Sequence, residues 1–241
     1  MTGEHVPDNS ISTVMAVRDG ERYLAAALDS ILDQSTPPTE LIVVDDGSID
    51  ATPAILATYG DAINLIQQPA TGQASAINAG IAAANGTFLA FLDADDLWEP
   101  GALACLRERL LRPDAPDAAF GRIVQFVSPE LGPEAAADFH FDPGPTASKL
   151  FQAMLIRRAA FTQVGPMDTT LVSAANIDWI SRARGQGLRF ATVDDVVARR
   201  RLHRTNWGVT MGASALNALT DVVRMHHART RGTTPPKGEP S

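Results

Sequence analysis

The chain has 241 residues, of which 45% are hydrophobic and 20% charged, a composition typical of an ordinary single-domain globular protein. Its formal net charge of -8 argues against a general nucleic-acid binder, because such proteins carry a basic surface that neutralises phosphates. The single cysteine, Cys105, excludes an internal disulfide, and no apolar stretch is long enough to span a bilayer. The polar segment 1–10 lacks the basic and apolar parts of a signal peptide, so we expect a flexible N-terminus and a cytoplasmic protein.

The first half of the chain alternates short apolar runs with segments of helical periodicity. The apolar runs predict buried strands at 11–17, 41–44, 62–67 and 88–92. The periodic segments predict helices at about 21–34 (capped by Asp19), 53–60, 73–84 and 100–112. Strands that alternate with helices predict an α/β fold with a mainly parallel sheet and helices on both faces. In such sheets ligands bind beyond the carboxyl ends of the strands.

The second half of the chain is less regular. Its pattern predicts strands at 118–127, 154–157, 189–193 and 196–202, and helices at 159–164, 178–185 and 213–229. Segment 128–145 is rich in Pro, Gly and Ala and is expected to form a loop, either a functional lid or a mobile connection. The last segment, 231–241, is expected to be a disordered tail, which leaves 11–230 as one domain.

Three carboxylates follow the fourth predicted strand: Asp93, Asp95 and Asp96. They repel one another unless a cation sits among them, and hard divalent cations prefer oxygen ligands. A metal held there would neutralise charge that grows on a diphosphate leaving group. The same residues are also typical of a helix cap in a solvated turn, and the cluster alone does not decide between these interpretations.

A second acidic pair, Asp45 and Asp46, follows the second predicted strand. A carboxylate at this edge can accept hydrogen bonds from a base N–H or from ribose hydroxyls. Because Gly47 and Ser48 come next, simple turn chemistry is the alternative explanation.

Taken in order, these segments resemble glycosyltransferase family 2, whose catalytic domain has the GT-A fold. The resemblance runs from about residue 11 to residue 206 and rests on an ordered series of motifs rather than on one Asp-x-Asp. The matching motifs are 12–17 with 20–24, 43–48, 72–80, 91–96, 164–168 with 178–179, and 200–203 with Asn206.

The resemblance implies a metal-dependent, inverting glycosyltransferase that uses a nucleotide-diphosphate sugar, with UDP as the expected nucleotide and Mn²⁺ or Mg²⁺ as the cofactor. The implied nucleotide-sugar-binding residues are Val17, Arg18, Asp45, Asp46, Gln73, Asn78, Asp93, Ala94 and Asp95. The implied metal-binding residues are Asp95, Asp96 and His203, although a surface histidine beside the arginines 199–201 is the alternative for His203. Those arginines could attract the anionic donor. The acceptor is left open between a glycan, a lipid, a peptide and a small molecule.

The chain departs from the family pattern at two places. Residues 16–19 read Ala-Val-Arg-Asp where the family has Pro, a small residue, Tyr and Asn. More importantly, Asn176 stands where the family places the acid that serves as general base, and a neutral amide cannot accept a proton at ordinary pH.

Three explanations for Asn176 remain open. Asp178 could act as the base, but residues two apart on a helix face different ways, so it would have to lie in the first turn or before it. The acceptor could already be nucleophilic, or another group could deprotonate it. Finally, the protein could be a pseudoenzyme that binds a sugar nucleotide without transferring it. Asn176 and Asp178 are therefore the candidate catalytic residues.

Two other enzyme classes fit the sequence less well. A nucleotidyltransferase usually has a Gly-rich basic loop after its first strand, and segment 18–22 contains one glycine. A dinucleotide-dependent oxidoreductase would need Gly-x-Gly-x-x-Gly after a strand, and that pattern is absent from the sequence.

Overall fold

One mixed sheet organises the computed structural model, which describes residues 9–132, 134, 139, 144–147, 149–171 and 174–204. Its strands are β1 (Ile11–Val17), β2 (Glu40–Asp45), β3 (Asn64–Gln67), β4 (Phe88–Phe91), β5 (Leu97–Trp98), β6 (Ala118–Val127), β7 (Thr146–Ala147), β8 (Met154–Arg157) and β9 (Phe190–Leu202). They are arranged in the order β3-β2-β1-β4-β8-β6-β9-β5, and β7 pairs with β6. Strands β3, β2, β1 and β4 are parallel, so their carboxyl ends share one edge of the sheet.

Helices cover both faces of the sheet. They are α1 (Leu24–Leu32), α2 (Thr52–Thr58), α3 (Gln73–Ala83), α4 (Ala102–Leu111), α5 (Arg158–Val164) and α6 (Ala175–Gly185). Side chains alternate along a strand, so Leu41 and Val43 of β2 join the core under α1, α2 and α4. Ile42 and Val44 join the second core, under α3, α5 and α6. The α/β fold predicted from the sequence, with helices on both faces, is thus confirmed.

Helix α1 begins later than predicted, at Leu24, and Asp19 is not its cap. Asp19 has a positive φ of 51°, and its carboxylate accepts a hydrogen bond from the Ile49 N–H at 2.8 Å. Its own N–H donates to Ser48 Oγ at 3.0 Å. The loop after β1 is therefore joined to the loop after β2, and the helix starts only beyond that junction.

The two strands predicted at 189–193 and 196–202 are one strand, β9. The register of β9 against β6 jumps between the pairs Phe120–Thr192 and Arg122–Val196, so β9 carries extra residues there. This bulge contains the acidic residues Asp194 and Asp195, which interrupt the apolar pattern and made one strand look like two. Helix α6 likewise begins at Ala175 rather than at residue 178.

Several sequence predictions lie outside the described residues. These are most of the N-terminal segment 1–10, half of the loop 128–145, the position of Asn206, the helix at 213–229 and the tail at 231–241. The domain limits 11–230 therefore stay a prediction.

Gly80 allows α3 to pack closely on the parallel strands. A Cβ at this position would lie 2.4 Å from Val14 Cγ1 and 3.3 Å from Val44 Cγ2. We expect Gly80→Ala to lower the free energy of unfolding by about 1–3 kcal/mol, because overpacking a core costs that much. Gly185→Ala in α6 is the matched control, since its Cβ would meet nothing within 4 Å. Chemical denaturation gives the free energy of unfolding of both variants, and equal values for the two would contradict this account.

Candidate functional site

The two acidic motifs meet at the carboxyl edge of the parallel strands. Asp46 follows β2, and its N–H donates to the Val17 carbonyl at the end of β1, at 2.9 Å. Asp93 follows β4, which lies on the other side of β1. The parallel order of these strands therefore places both motifs around the end of β1, as the sequence predicted from the strand ends.

Asp46 is almost completely buried, with 3% of its surface exposed, and its carboxylate fixes the loop after β3. Its Oδ1 accepts hydrogen bonds from Gln68 Nε2 at 2.7 Å and from the Thr71 N–H at 2.8 Å. Its Oδ2 accepts the Gly72 N–H at 2.8 Å. Burial acts to raise the pKa of Asp46, but these hydrogen bonds outweigh it and hold the pKa below its usual value. The group is therefore an ionised acceptor at neutral pH.

The rest of this motif is turn chemistry. Asp45 Oδ1 accepts the Ser48 N–H at 2.9 Å. Gly47 has a φ of 75°, and a Cβ there would lie 2.8 Å from the Ala70 backbone nitrogen. A side chain at 47 would thus separate the Asp46 turn from the loop after β3.

Val17 and Arg18, both expected at the donor, lie at the end of β1. The Val17 side chain packs in the core under α1, and only its carbonyl is engaged with the Asp46 turn. The Arg18 side chain is 54% exposed and lies 3.7 Å from Asp19. Ala94 packs partly buried against the same core as Val17.

Asp93, Asp95 and Asp96 form the densest charge cluster of the site. One oxygen from each lies within 4.8 Å of the others. Burial, followed by repulsion from the Asp95 carboxylate, raises the pKa of Asp93 to about 7. Burial, followed by repulsion from the Asp95 and Asp93 carboxylates, also raises the pKa of Asp96. Three carboxylates held this closely favour either protons or a cation among them.

Asp96 is the most enclosed of the three, with 2% of its surface exposed. Its Oδ1 accepts the Arg201 N–H at 2.8 Å, and its Oδ2 accepts Gln152 Nε2 at 3.1 Å. Trp98 Nε1 in turn donates to the Gln152 carbonyl at 2.8 Å. These contacts fix the Asp96 carboxylate between the end of β9 and the turn before β8.

His203 lies at the cluster, immediately after β9. Its Nε2 is 3.0 Å from Asp95 Oδ2, and its ring centroid is 4.7 Å from that of Tyr23. The Arg201 guanidinium packs over the same Tyr23 ring, 4.6 Å from its centroid. Tyr23 also donates its hydroxyl to Glu130. The structure therefore brings His203 to the aspartates as predicted, and an aromatic and cationic layer fixes its place.

A small cleft opens beside the aspartates. Its lining residues are Gln73, Ala74, Ile77, Asp93, Phe151, Gln152, Met167, Leu171, Ala175 and Asn176. Gln73 Nε2 donates to Asp93 Oδ1 at 3.1 Å, which links the start of α3 to the cluster. Asn176 Oδ1 accepts the Ile177 N–H at 2.8 Å.

Asn78, also expected to bind the donor, is engaged in a structural contact. Its Nδ2 donates to the Met167 carbonyl and its Oδ1 accepts the Met167 N–H, both at 2.9 Å. This pair of bonds attaches the segment after α5 to α3. Asn78 therefore supports one wall of the cleft, and Met167 forms part of that wall.

Asp178 does not line the cleft. It is fully buried in the first turn of α6, and its Oδ2 accepts Arg182 Nε at 2.8 Å. Arg182 also donates to the carbonyls of Val164 and Pro166. The helix thus places Asn176 at the cleft and directs the Asp178 side chain to Arg182. This ion pair attaches α6 to the segment after α5.

We expect Asp178→Ala to lower the free energy of unfolding by about 3 kcal/mol, because it leaves the Arg182 charge without its partner. Nucleotide binding by the protein that remains folded should be unchanged. Thermal unfolding and nucleotide titration separate the two effects, and the control is Asp168→Ala, which removes a half-buried acid that bonds Thr170 in the preceding segment. A stable variant that had lost only turnover would instead identify Asp178 as the base.

Sequence reasoning missed Gln68, Gln152 and Tyr23. The strand-end rule could have found Gln68, since it follows β3 at the same edge as Asp46. Gln152 lies in a single 3-10 turn, Phe151–Ala153, and has no periodic or motif signal.

Among the described residues, no helix is both long and apolar enough to cross a bilayer.

Comparison with known proteins gives a consistent result. The family model described as Glycosyl transferase family 2 matches residues 12–164. An uncharacterized glycosyltransferase of Nostoc sp. is 41% identical over 97 residues, which are 39% of this chain and 30% of that protein. This chain therefore spans less than a third of that relative's length.

Solved structures share the fold at low identity. Staphylococcus aureus TarS 1–349 superposes with a TM-score of 0.67 at 18% identity, covering 94% of this chain and 67% of that one. The mannosyltransferase PcManGT of Pyrobaculum calidifontis, solved with GDP-Man and Mn²⁺, gives a TM-score of 0.64 at 19% identity and covers 94% and 65%. TarS was also solved with UDP and with UDP-GlcNAc. These similarities confirm the predicted fold.

Proposed function

Since this chain belongs to glycosyl transferase family 2, we propose that it transfers a sugar from a nucleotide-diphosphate donor to an acceptor with the help of a divalent metal. The observation that carries the proposal is the cluster of Asp93, Asp95 and Asp96 at a cleft beside the Asp46 turn. Inversion at the sugar carbon is part of the proposal because the family resemblance implies it. The cytoplasmic location stays a prediction from the sequence.

The donor would lie along the edge formed by β2, β1 and β4. Asp46 would accept an N–H of the base, and Asp45 would support its turn. Arg18 and the β1 end would line the base and ribose, while Gln73 and Asp93 would face the sugar. The partners on the acceptor side remain a glycan, a lipid, a peptide or a small molecule.

The residues at the cluster suit Mg²⁺ or Mn²⁺. One oxygen from each aspartate lies within 4.8 Å of the others, and such a set offers the oxygen ligands that hard divalent cations prefer. Burial, and after it the negative charge of Asp95, raises the pKa of Asp93. Asp95, Asp96 and His203 would hold the ion. Bound there, a divalent cation would neutralise the charge that develops on the departing diphosphate.

This chain's own residues hold the rest of the arrangement in place. Gln152 and the Arg201 N–H orient the Asp96 carboxylate, and His203 contacts Asp95. Arg200 lies close enough to the cluster for its positive charge to oppose the rise in the pKa of Asp93. Its positive charge would favour an anionic donor at this edge.

A pseudoenzyme that binds the donor without transferring it is the second candidate, and Asn176 favours it. This amide lines the cleft where the family has its general base, and its oxygen is engaged with the Ile177 N–H. General-base catalysis typically contributes ~10²–10⁴-fold to a rate. A protein lacking it would be slow unless the acceptor were already nucleophilic.

Release of nucleotide from a panel of UDP- and GDP-sugars in the presence of Mn²⁺ tests the proposal. We expect release from one donor, with loss of release when the metal is chelated by EDTA. Calorimetric binding of a donor with no release, with and without a panel of acceptors, would support the pseudoenzyme. Absence of both binding and release would contradict both candidates.

A further inference from the structure

The two oxygens of the Asp46 carboxylate are unequally occupied. Oδ1 accepts Gln68 Nε2 at 2.7 Å and the Thr71 N–H at 2.8 Å, and Thr71 Oγ1 lies 3.3 Å away. A carboxylate oxygen has two lone pairs, so these donors fill Oδ1. Among the residues that the structure describes, Oδ2 accepts the Gly72 N–H alone, at 2.8 Å, and keeps one lone pair.

The loop that supplies these donors is fixed in place. The Gln68 N–H donates to the Asp45 carbonyl at 3.0 Å. Ala70 packs so closely on Gly47 that a Cβ at 47 would come within 2.8 Å of its nitrogen. Gln68 Nε2 also donates to Thr71 Oγ1 at 2.6 Å, which commits both amide hydrogens and holds the amide's orientation.

Nucleotide bases differ in what they ask of such a carboxylate. Uracil presents one ring N–H between two carbonyl oxygens, so it needs a single lone pair. Guanine presents a ring N–H and an exocyclic NH₂ side by side, and a carboxylate binds this pair with one oxygen for each donor. A carboxylate with one filled oxygen can satisfy uracil but leaves one guanine donor without an acceptor.

We propose that Gln68 and Thr71, by filling Oδ1 of Asp46, make the donor site selective for uracil over guanine. The proposal rests on the proposed function in that it places the base at Asp46. The fold itself does not decide this selectivity, since structures with this fold were solved with UDP and with GDP-Man. The selectivity therefore lies in the side chains around the carboxylate, and Gln68 is the one that can be changed without altering the backbone donors.

Isothermal titration of UDP and GDP, each with Mn²⁺, provides the test. We expect the native chain to bind UDP at least about tenfold more tightly than GDP, since an unsatisfied buried donor costs that much. Gln68→Met keeps the length of the side chain but removes its N–H donors. The Thr71 N–H then remains as the short donor to Oδ1, and a lone pair is freed because the Thr71 hydroxyl has a single hydrogen and its oxygen lies closer to Ser75 Oγ, at 3.1 Å, than to Oδ1, at 3.3 Å. This variant should bind GDP at least about fivefold more tightly than the native chain does, and so narrow the UDP/GDP ratio. The control is Gln67→Met, which makes the same change at the exposed residue before Gln68 and should leave the UDP/GDP affinity ratio unchanged.

The outcomes separate the two proposals. Equal affinity of the native chain for UDP and GDP, or an unchanged ratio in a folded Gln68→Met variant, would overturn the role of Gln68. UDP selectivity without sugar transfer would leave this inference standing and count against the proposed function. Lack of affinity for either nucleotide would overturn both.

Discussion

Asp95→Asn is expected to reduce metal-dependent nucleotide release by at least about 100-fold. The amide keeps the size of the carboxylate but removes the charge that lies between Asp93, Asp96 and His203. Metal ions supply several kcal/mol of transition-state stabilisation, and about 2.7 kcal/mol corresponds to 100-fold. Affinity for Mn²⁺, followed by titration with the ion alone, should fall in parallel with the rate.

The control for this variant is Asp194→Asn, which makes the same chemical change in the bulge of β9. Its side chain is 94% exposed and pairs with Arg122 on the surface, so neither Mn²⁺ affinity nor nucleotide release should change. Nucleotide release that persisted undiminished in Asp95→Asn would remove this cluster from the proposed mechanism. An equal loss in both variants would show that the assay responds to net charge rather than to the site.

Asn176→Asp is expected to raise the rate of nucleotide release in water by about 100-fold. It introduces a carboxylate into the wall of the cleft, where it can accept a proton from a hydroxyl acceptor or from water. The native amide cannot do so, because it is neutral and its oxygen already accepts the Ile177 N–H. Release of nucleotide from the preferred donor, measured without any added acceptor, isolates this effect.

Asn64→Asp, the same change on the exposed edge strand β3, is the matched control and should not alter the rate. A rate that stays constant in Asn176→Asp would exclude a missing base as the limiting factor. It would favour an acceptor that is nucleophilic without deprotonation, which was one of the three explanations left open by the sequence.

The parallel half of the fold could be predicted because its signals are local. Strands β1, β2 and β4 are short and largely apolar, and each acidic motif follows one of them, so the strand-end rule locates both motifs. The cap of α1 could not be predicted in this way. Asp19 instead bonds Ser48 and Ile49 in a different loop, and a contact between two loops leaves no trace in the local pattern.

The candidate catalytic residues show where sequence reasoning ends. Which of Asn176 and Asp178 faces the cleft depends on the residue at which α6 begins, and helix ends are uncertain from sequence alone. The structure starts the helix at Ala175, which turns Asp178 toward Arg182. Similarly, Asn78 was expected at the donor, but its amide bonds Met167, 89 residues further along the chain. The roles proposed for these side chains in binding and catalysis stay predictions.

The two halves of the site differ in how far apart their residues lie along the chain. The Asp46 turn is closed by bonds to Thr71 and Gly72, which are 25 and 26 residues away. The aspartate cluster is completed by Arg201 and His203, which are 105 and 108 residues from Asp96 and Asp95. Long loops close slowly because their entropy must be overcome before the contact forms. During folding the Asp46 turn can therefore assemble early, from the first strands that leave the ribosome, whereas the aspartate cluster is completed only when β9 docks.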